Sequence, residues 1–148
     1  MAITVRNGDT IALLKECDAG SKMATNSMEQ IQSYVHNREL QDLLHCYNEK
    51  HIQLGEKIHT LLRASGEPDK DPSPMAKAYS WISSQIKLTM DSSEKEVASI
   101  LTDGCNMGVK SLSEYKNKYG GADAQAVDLC ERLRKLEKQM AEDLESYL

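Results

Sequence analysis

Residues 56–59 read Glu-Lys-Ile-His and place a carboxylate and an imidazole three positions apart on a stretch with helical periodicity. In helical bundles that bind two iron or manganese ions, two helices each supply a Glu-x-x-His pair, and the other two each supply a glutamate. The remaining ligands would come from acids elsewhere in the chain: Glu16, Glu114, Asp128 and Glu131. One hypothesis is therefore a site for Fe, Mn or Zn built from these four acids together with Glu56 and His59.

The helical period argues against that metal site. Leu54 and Ile58 belong to a stripe of apolar residues at steps of three and four, which is the pattern of a core-facing helix surface. Glu56 and His59 then fall on the solvent side of the same helix. The last helix carries no histidine, so its Asp128-x-x-Glu131 pair is only a substitute. The pattern favours a chance match with Glu56 and His59 exposed, and no cofactor is expected; a metal-binding protein remains the alternative.

His51 is the more informative histidine because it lies on the apolar stripe itself. That stripe runs through Leu40, Leu44, Tyr47, His51, Leu54 and Ile58. Matching heights along the helices places Ser21 opposite His51 and Glu137 at a similar level on the last helix. Two mid-helix glycines, Gly104 and Gly108, lie at that level on the third helix, where each costs about 1 kcal/mol relative to alanine. We therefore predict a buried polar layer of His51, Glu137 and Ser21. An internal hydrogen-bonded pair is the favoured state, and a layer that holds a metal ion, a water or a small ligand is the alternative.

The four cysteines fall one in each predicted long helix and have no CxxC spacing. One hypothesis is a site in which their thiolates bind a soft metal ion. Only Cys17 lies squarely on a stripe, however; Cys105 and Cys130 flank theirs, Cys46 faces outward, and their heights differ. We interpret them as small core or boundary residues that stay reduced.

Composition narrows the class of protein. The chain has 148 residues, 40% of them apolar and 28% charged, with a net charge of −5. This size fits a single domain, and the acidic balance argues against a nucleic-acid partner or an anionic membrane surface. The N-terminus lacks the pattern of a signal peptide and no apolar run approaches the roughly 20 residues that span a bilayer, so we expect a cytoplasmic protein. The charged face of residues 131–145 is typical of a solvated surface or of a surface that binds a second copy or another protein.

Helix-starting and helix-ending residues divide the chain into two long hairpins. The first hairpin covers 9–65, with a helix that starts near Asp9 or Thr10. The crossover covers 66–91, with a short helix that carries Met75, Tyr79, Trp81, Ile82 and Ile86. The second hairpin covers 92–148 and starts at a cap formed by residues 91–93. Two hairpins joined by one long crossover predict an all-α, antiparallel four-helix bundle in a single domain.

A set of residues distributed along the chain carries a resemblance to a known family. They are Gly20 in the first helix, Gly66-Glu67-Pro68 at the end of the second, Trp81 in the crossover, Ile100-Leu101…Gly108…Tyr115 in the third helix, and the charged segment 123–148. In these features the chain resembles a bacterial family of ferritin-like proteins of unknown function. The resemblance implies the ferritin-like fold and says little about activity, because a fold does not determine a function. We therefore expect a non-catalytic binding or interaction module rather than an enzyme, with a metal-binding ferritin relative whose site is degenerate as the alternative.

Overall fold

A computed structural model describes residues 6–66, 84–85 and 93–148. Four long helices account for most of them: α1 (Gly8–Gln32), α2 (Arg38–Ala64), α3 (Glu94–Lys118) and α4 (Ala124–Leu144), followed by a 3₁₀ turn at Glu145–Tyr147. Within those three ranges there is no β-strand, and no helix is both long enough and apolar enough to cross a membrane. The predicted all-helical class is confirmed, and the four helices are consistent with a four-helix bundle. Of the predicted short crossover helix only residues 84–85 are described, and both are helical; the rest lies outside the described residues.

Each helix begins at a side chain that accepts a hydrogen bond from the first turn, which satisfies a backbone N–H that has no partner within the helix. The acceptors are Asn7 for α1, Asn37 for α2, Ser93 for α3 and Asp123 for α4. The predicted cap at Ser93 is confirmed. Helix α1 starts at Gly8, near the predicted Asp9 or Thr10. Neither of those residues is the cap, because their side chains accept from the backbone N–H groups of Gly121 and Asp123, in the loop before α4.

The second helix ends as its sequence predicts. Its last helical residue is Ala64, and Gly66 follows with a φ of 81°. This left-handed backbone conformation carries little steric cost for glycine and is common just after a helix end.

The core has two apolar halves. One half joins the end of α1 to the start of α2, the start of α3 and the end of α4, with Leu44, Val97 and Leu144 among its members. The other half joins the opposite ends of the same helices and includes Leu13 and Ile58. Neither half includes the buried residues His51 and Glu137, which lie between the halves along α2 and α4.

Candidate functional site

His51 is a fully buried histidine whose two ring nitrogens both have partners. Its Nδ1 lies 2.7 Å from the backbone oxygen of Tyr47, and its Nε2 lies 2.7 Å from Oε1 of Glu137. A carbonyl oxygen can only accept, so Nδ1 must carry a proton and donate it to Tyr47. A second proton then lies between Nε2 and Oε1, either as an imidazolium–carboxylate pair or as a neutral imidazole that accepts from a protonated Glu137. The pair has no net charge in either form.

Glu137 is fixed from a second side by α3. It is only 7% exposed, and the thiol of Cys105 donates a hydrogen bond to its carboxylate. Burial, together with the adjacent Glu137, raises the pKa of the Cys105 thiol far above its usual range. Cys105 therefore stays protonated, as a hydrogen-bond donor, and lacks the thiolate that a nucleophilic cysteine requires.

The mid-helix glycine at position 108 has a structural explanation in this site. A Cβ at Gly108 would lie 3.4 Å from Cγ, Cδ and Oε2 of Glu137. A methyl group at this position would touch the Glu137 side chain, so the glycine leaves the side of the carboxylate that faces α3, including Oε2, uncovered.

Ser21 takes part in the layer through the backbone of His51. Its Oγ donates to the backbone oxygen of His51 at 3.4 Å, and it does not bond to the imidazole. The structure thus brings the three residues of the predicted polar layer together, with Glu137 as the side-chain partner of His51. Ser21 is not a partner of the imidazole, because both ring nitrogens are already engaged.

A cavity of about 520 Å³ lies between α1 and α3, and Glu137 forms part of its wall. Small residues on the two facing helices leave this space open: Ala19, Gly20, Ala24, Gly104 and Gly108. Four methionines line it as well: Met23, Met28, Met107 and Met140. The wall is therefore apolar and adaptable, since methionine side chains are flexible and polarisable.

Among the described residues, the cavity wall has few polar groups, and two of them are carboxylates. Glu137 and Glu16 supply the carboxylates, and Tyr115, Ser27 and Ser111 add hydroxyls. The Tyr115 hydroxyl donates to Glu16; burial and then the charge of Glu16 raise the pKa of Tyr115. Among the described residues, no Lys, Arg or His lines the cavity. The space is consequently an apolar pocket of acidic character.

The candidate metal ligands on α1 and α2 do not meet. Glu16 bonds to Tyr115, and Glu56 is exposed to solvent. His59 is half-buried, with its Nδ1 3.1 Å from Oδ1 of Asp18. The prediction that His59 is exposed is therefore wrong: the buried arc of α2 is wide enough to include the position next to Ile58, where Asp18 of α1 meets it.

The candidate ligands on α3 and α4 are paired with bases. The pairs are Glu114 with Lys110, Asp128 with Arg132, and Glu131 with Arg134. The guanidinium of Arg134 lowers the pKa of Glu131 to about 2, which is the effect of a charge-assisted hydrogen bond. Across residues 6–66, 84–85 and 93–148, no group of three or more His, Cys, Asp or Glu side chains is placed to hold a metal ion. The structure does not bring the Glu-x-x-His set together.

Three of the four cysteines are buried, and none of the four forms a disulfide. Cys17 and Cys130 contact each other from α1 and α4; this hydrogen bond, and then burial, raise the pKa of Cys17. The sequence prediction that the cysteines lie at different heights is wrong for this pair, whereas the burial of Cys17, Cys105 and Cys130 agrees with their interpretation as small core or boundary residues. Cys46 is exposed, as predicted.

Sequence reasoning missed the cavity, together with Cys105 and Tyr115 as groups that bond to its carboxylates. A signal for the cavity does exist: small residues four positions apart recur on α1 (Gly20, Ala24) and on α3 (Gly104, Gly108). No protein-family model, curated protein or solved structure matches the chain.

The Asp18–His59 contact predicts a modest contribution to stability. We expect His59→Ala to lower the free energy of unfolding by no more than about 1 kcal/mol at pH 7, because partly exposed ion pairs contribute little. Asp18 also keeps its second partner, since Lys22 Nζ lies 2.7 Å from its Oδ2. Urea unfolding of His59→Ala beside Glu56→Ala tests this, and the exposed Glu56 should change stability by about 0.5 kcal/mol or less. A loss above about 2 kcal/mol in both variants would indicate that the two residues act as one site.

Proposed function

We propose that the protein is a ferritin-like, antiparallel four-helix bundle that binds a small organic molecule in the cavity between α1 and α3 and does not transform it. The observation that carries this proposal is the cavity itself, with a buried carboxylate, Glu137, held in its wall. Ligand pockets in proteins typically have volumes of about 300–1,000 Å³, mostly apolar walls and a small number of fixed polar groups. The cavity of about 520 Å³ fits this description.

The support for binding comes from how Glu137 is held. His51 bonds to Oε1 from α2, and Cys105 donates from α3. A polar group fixed before the ligand arrives costs little entropy to order during binding, which strengthens binding. The same carboxylate in a purely structural pair would not need a cavity beside it, whereas here it forms part of the cavity wall.

The case against catalysis comes from the same contacts. Both nitrogens of His51 are engaged, and the raised pKa of Cys105 keeps its thiol protonated. A nucleophile needs an adjacent free base or a lowered pKa, and the residues at the cavity supply neither. They suit a role in holding a ligand.

The ferritin-like topology is supported by which helix ends share a core. The start of α3 packs with the start of α2, and the end of α3 packs with the end of α2. The two helices therefore point the same way, and the end of α2 and the start of α3 lie at opposite ends of the bundle. One long crossover between the second and third helices is the connection of ferritin-like bundles.

A neutral fluorescent probe tests the binding function. Titration with N-phenyl-1-naphthylamine should show saturable binding at one site per chain. Gly20→Leu should weaken the binding at least about tenfold, since its side chain extends into the cavity. Gln53→Leu adds the same side chain at an exposed position of α2 and should leave the affinity unchanged. Binding that does not saturate, or that is equal in both variants, would overturn the proposal.

The metal-binding alternative has its own direct test. A ferritin relative with a metal site would carry about one or two equivalents of Fe, Mn or Zn when purified without a metal-affinity tag. We expect elemental analysis to find far less than one equivalent, because the candidate ligands are dispersed or paired with bases.

A further inference from the structure

We infer that the ligand of this cavity is a hydrophobic organic cation, an alkyl or aryl ammonium, whose charged end is held by Glu137. This inference rests on the proposed binding function and adds the chemical class of the ligand. Its starting point is charge complementarity: the cavity wall includes Glu137 and Glu16, and among the described residues no basic side chain lines it.

The pairing of Glu137 with His51 engages one carboxylate oxygen and leaves the other to accept from an ammonium group. His51 bonds to Oε1, whereas Oε2 is the oxygen that lies toward Gly108 and the cavity wall. An ammonium that donates to Oε2 would be in contact with the carboxylate and separated from the imidazole by the width of the carboxylate group. Coulomb energy falls with distance, so attraction to the nearer negative charge exceeds repulsion from the farther imidazolium.

The second carboxylate adds to this preference. The His51–Glu137 pair has no net charge, so Glu16 makes the described part of the cavity wall negative. Glu16 accepts from the Tyr115 hydroxyl, a neutral donor that leaves the charge in place. A ligand that carries a carboxylate would instead lie between two acids. Among the described side chains of the wall, it would find hydroxyl groups as donors and no cation. The wall thus discriminates against anions as well as favouring cations.

The rest of the cavity is suited to an apolar body. Methionines such as Met28 and Met140, with Leu101 and Leu133, cover most of the wall around the acids. Flexible methionine side chains can adapt to ligands of different shape. An alkyl chain or a small ring system would therefore replace water along this wall, with its ammonium group at Glu137.

Three probes of equal chain length test the inference at pH 7: octylammonium, 1-octanol and octanoate, each competing with N-phenyl-1-naphthylamine. Octylammonium should bind at least about tenfold more tightly than 1-octanol, and octanoate should bind more weakly than both. Glu137→Gln should remove the advantage of octylammonium and leave the affinity for 1-octanol within about twofold. Its matched control is Glu114→Gln, which changes an exposed acid of α3 and should preserve the wild-type order.

The outcomes separate the inference from the function on which it rests. If N-phenyl-1-naphthylamine and 1-octanol bind but octylammonium has no advantage, the cation inference is wrong and the binding function stands. If none of the probes binds, both are wrong. Should Glu137→Gln lose its helical circular dichroism, the order of the three probes on the wild-type protein still decides the question, as does the same order measured on Glu16→Gln, which should reduce the advantage of octylammonium.

Discussion

Replacing His51 with leucine should lower the free energy of unfolding by about 3 kcal/mol at pH 7, and adding Glu137→Leu should restore most of that loss. Removing one member of a buried, hydrogen-bonded charged pair leaves the other without a partner, which is strongly destabilising. In His51→Leu the Glu137 carboxylate loses the partner at Oε1 and keeps only the Cys105 thiol. The doubly substituted protein has apolar side chains at both positions, so its stability should be within about 1 kcal/mol of wild type.

The coupling between the two positions is the quantity to measure. Urea unfolding followed by circular dichroism would give the free energies for the wild type, both single variants and the double variant. The two single losses should together exceed the loss in the double variant by about 2 kcal/mol or more. His45→Leu serves as the matched control, because His45 is an exposed histidine on the same helix and should change stability by about 0.5 kcal/mol or less. If the two single losses add up to the loss in the double variant, the two side chains contribute to stability independently.

The burial of His51 follows from its sequence position. A break in the 3–4 spacing at His51 would also expose Tyr47 and Leu54, so the apolar stripe determines where the imidazole lies. Glu137 follows from counting residues away from the turn between helices. Both inferences depend only on the rise and period of an α-helix, which vary little between proteins.

The contacts that sequence reasoning missed depend on the lateral placement of helices. A stripe identifies the centre of the buried surface but not its width, and so His59 was expected to be exposed. The cap of α1 could not be predicted for the same reason. Asp9 and Thr10 are good capping residues, but the α3–α4 loop packs beside them and its backbone N–H groups donate to their side-chain oxygens. Tertiary contacts of this kind override local preference.

Of these features, the cavity was the hardest to predict from the sequence. Its volume depends on how far apart α1 and α3 lie, and small residues are compatible with either of two arrangements. Glycines such as Gly20 can let helices approach closely, or they can leave a space where the helices stay apart. Gly55 illustrates close approach and Gly20 an open space within the same bundle, and alanine substitution at each position distinguishes the two cases.

Gly55→Ala and Gly20→Ala are the same substitution in the middle of a helix, and we expect them to change stability in opposite directions. A Cβ at Gly20 would meet only Cδ2 of Leu133, at 3.9 Å, which is an ordinary contact. Gly20→Ala should therefore raise the free energy of unfolding by up to about 1 kcal/mol, the helix-propensity difference between the two residues. A Cβ at Gly55 would overlap Oγ of Ser21 and lie 3.4 Å from its Cβ, so the Ser21 hydroxyl would have to move.

The loss in Gly55→Ala comes from displacing the Ser21 hydroxyl. Ser21 is only 4% exposed, and its Oγ donates to the backbone oxygen of His51. Moving a buried hydroxyl from its acceptor leaves a polar group to be satisfied elsewhere, and overpacking adds a cost of about 1–3 kcal/mol. We expect the two alanine variants to differ by about 2 kcal/mol in thermal or urea unfolding, with Gly55→Ala the less stable. Removing the hydroxyl with Ser21→Ala should then turn Gly55→Ala from destabilising to neutral or stabilising. If Gly55→Ala is as stable as Gly20→Ala in the wild-type background, α1 and α2 are farther apart than the structure places them.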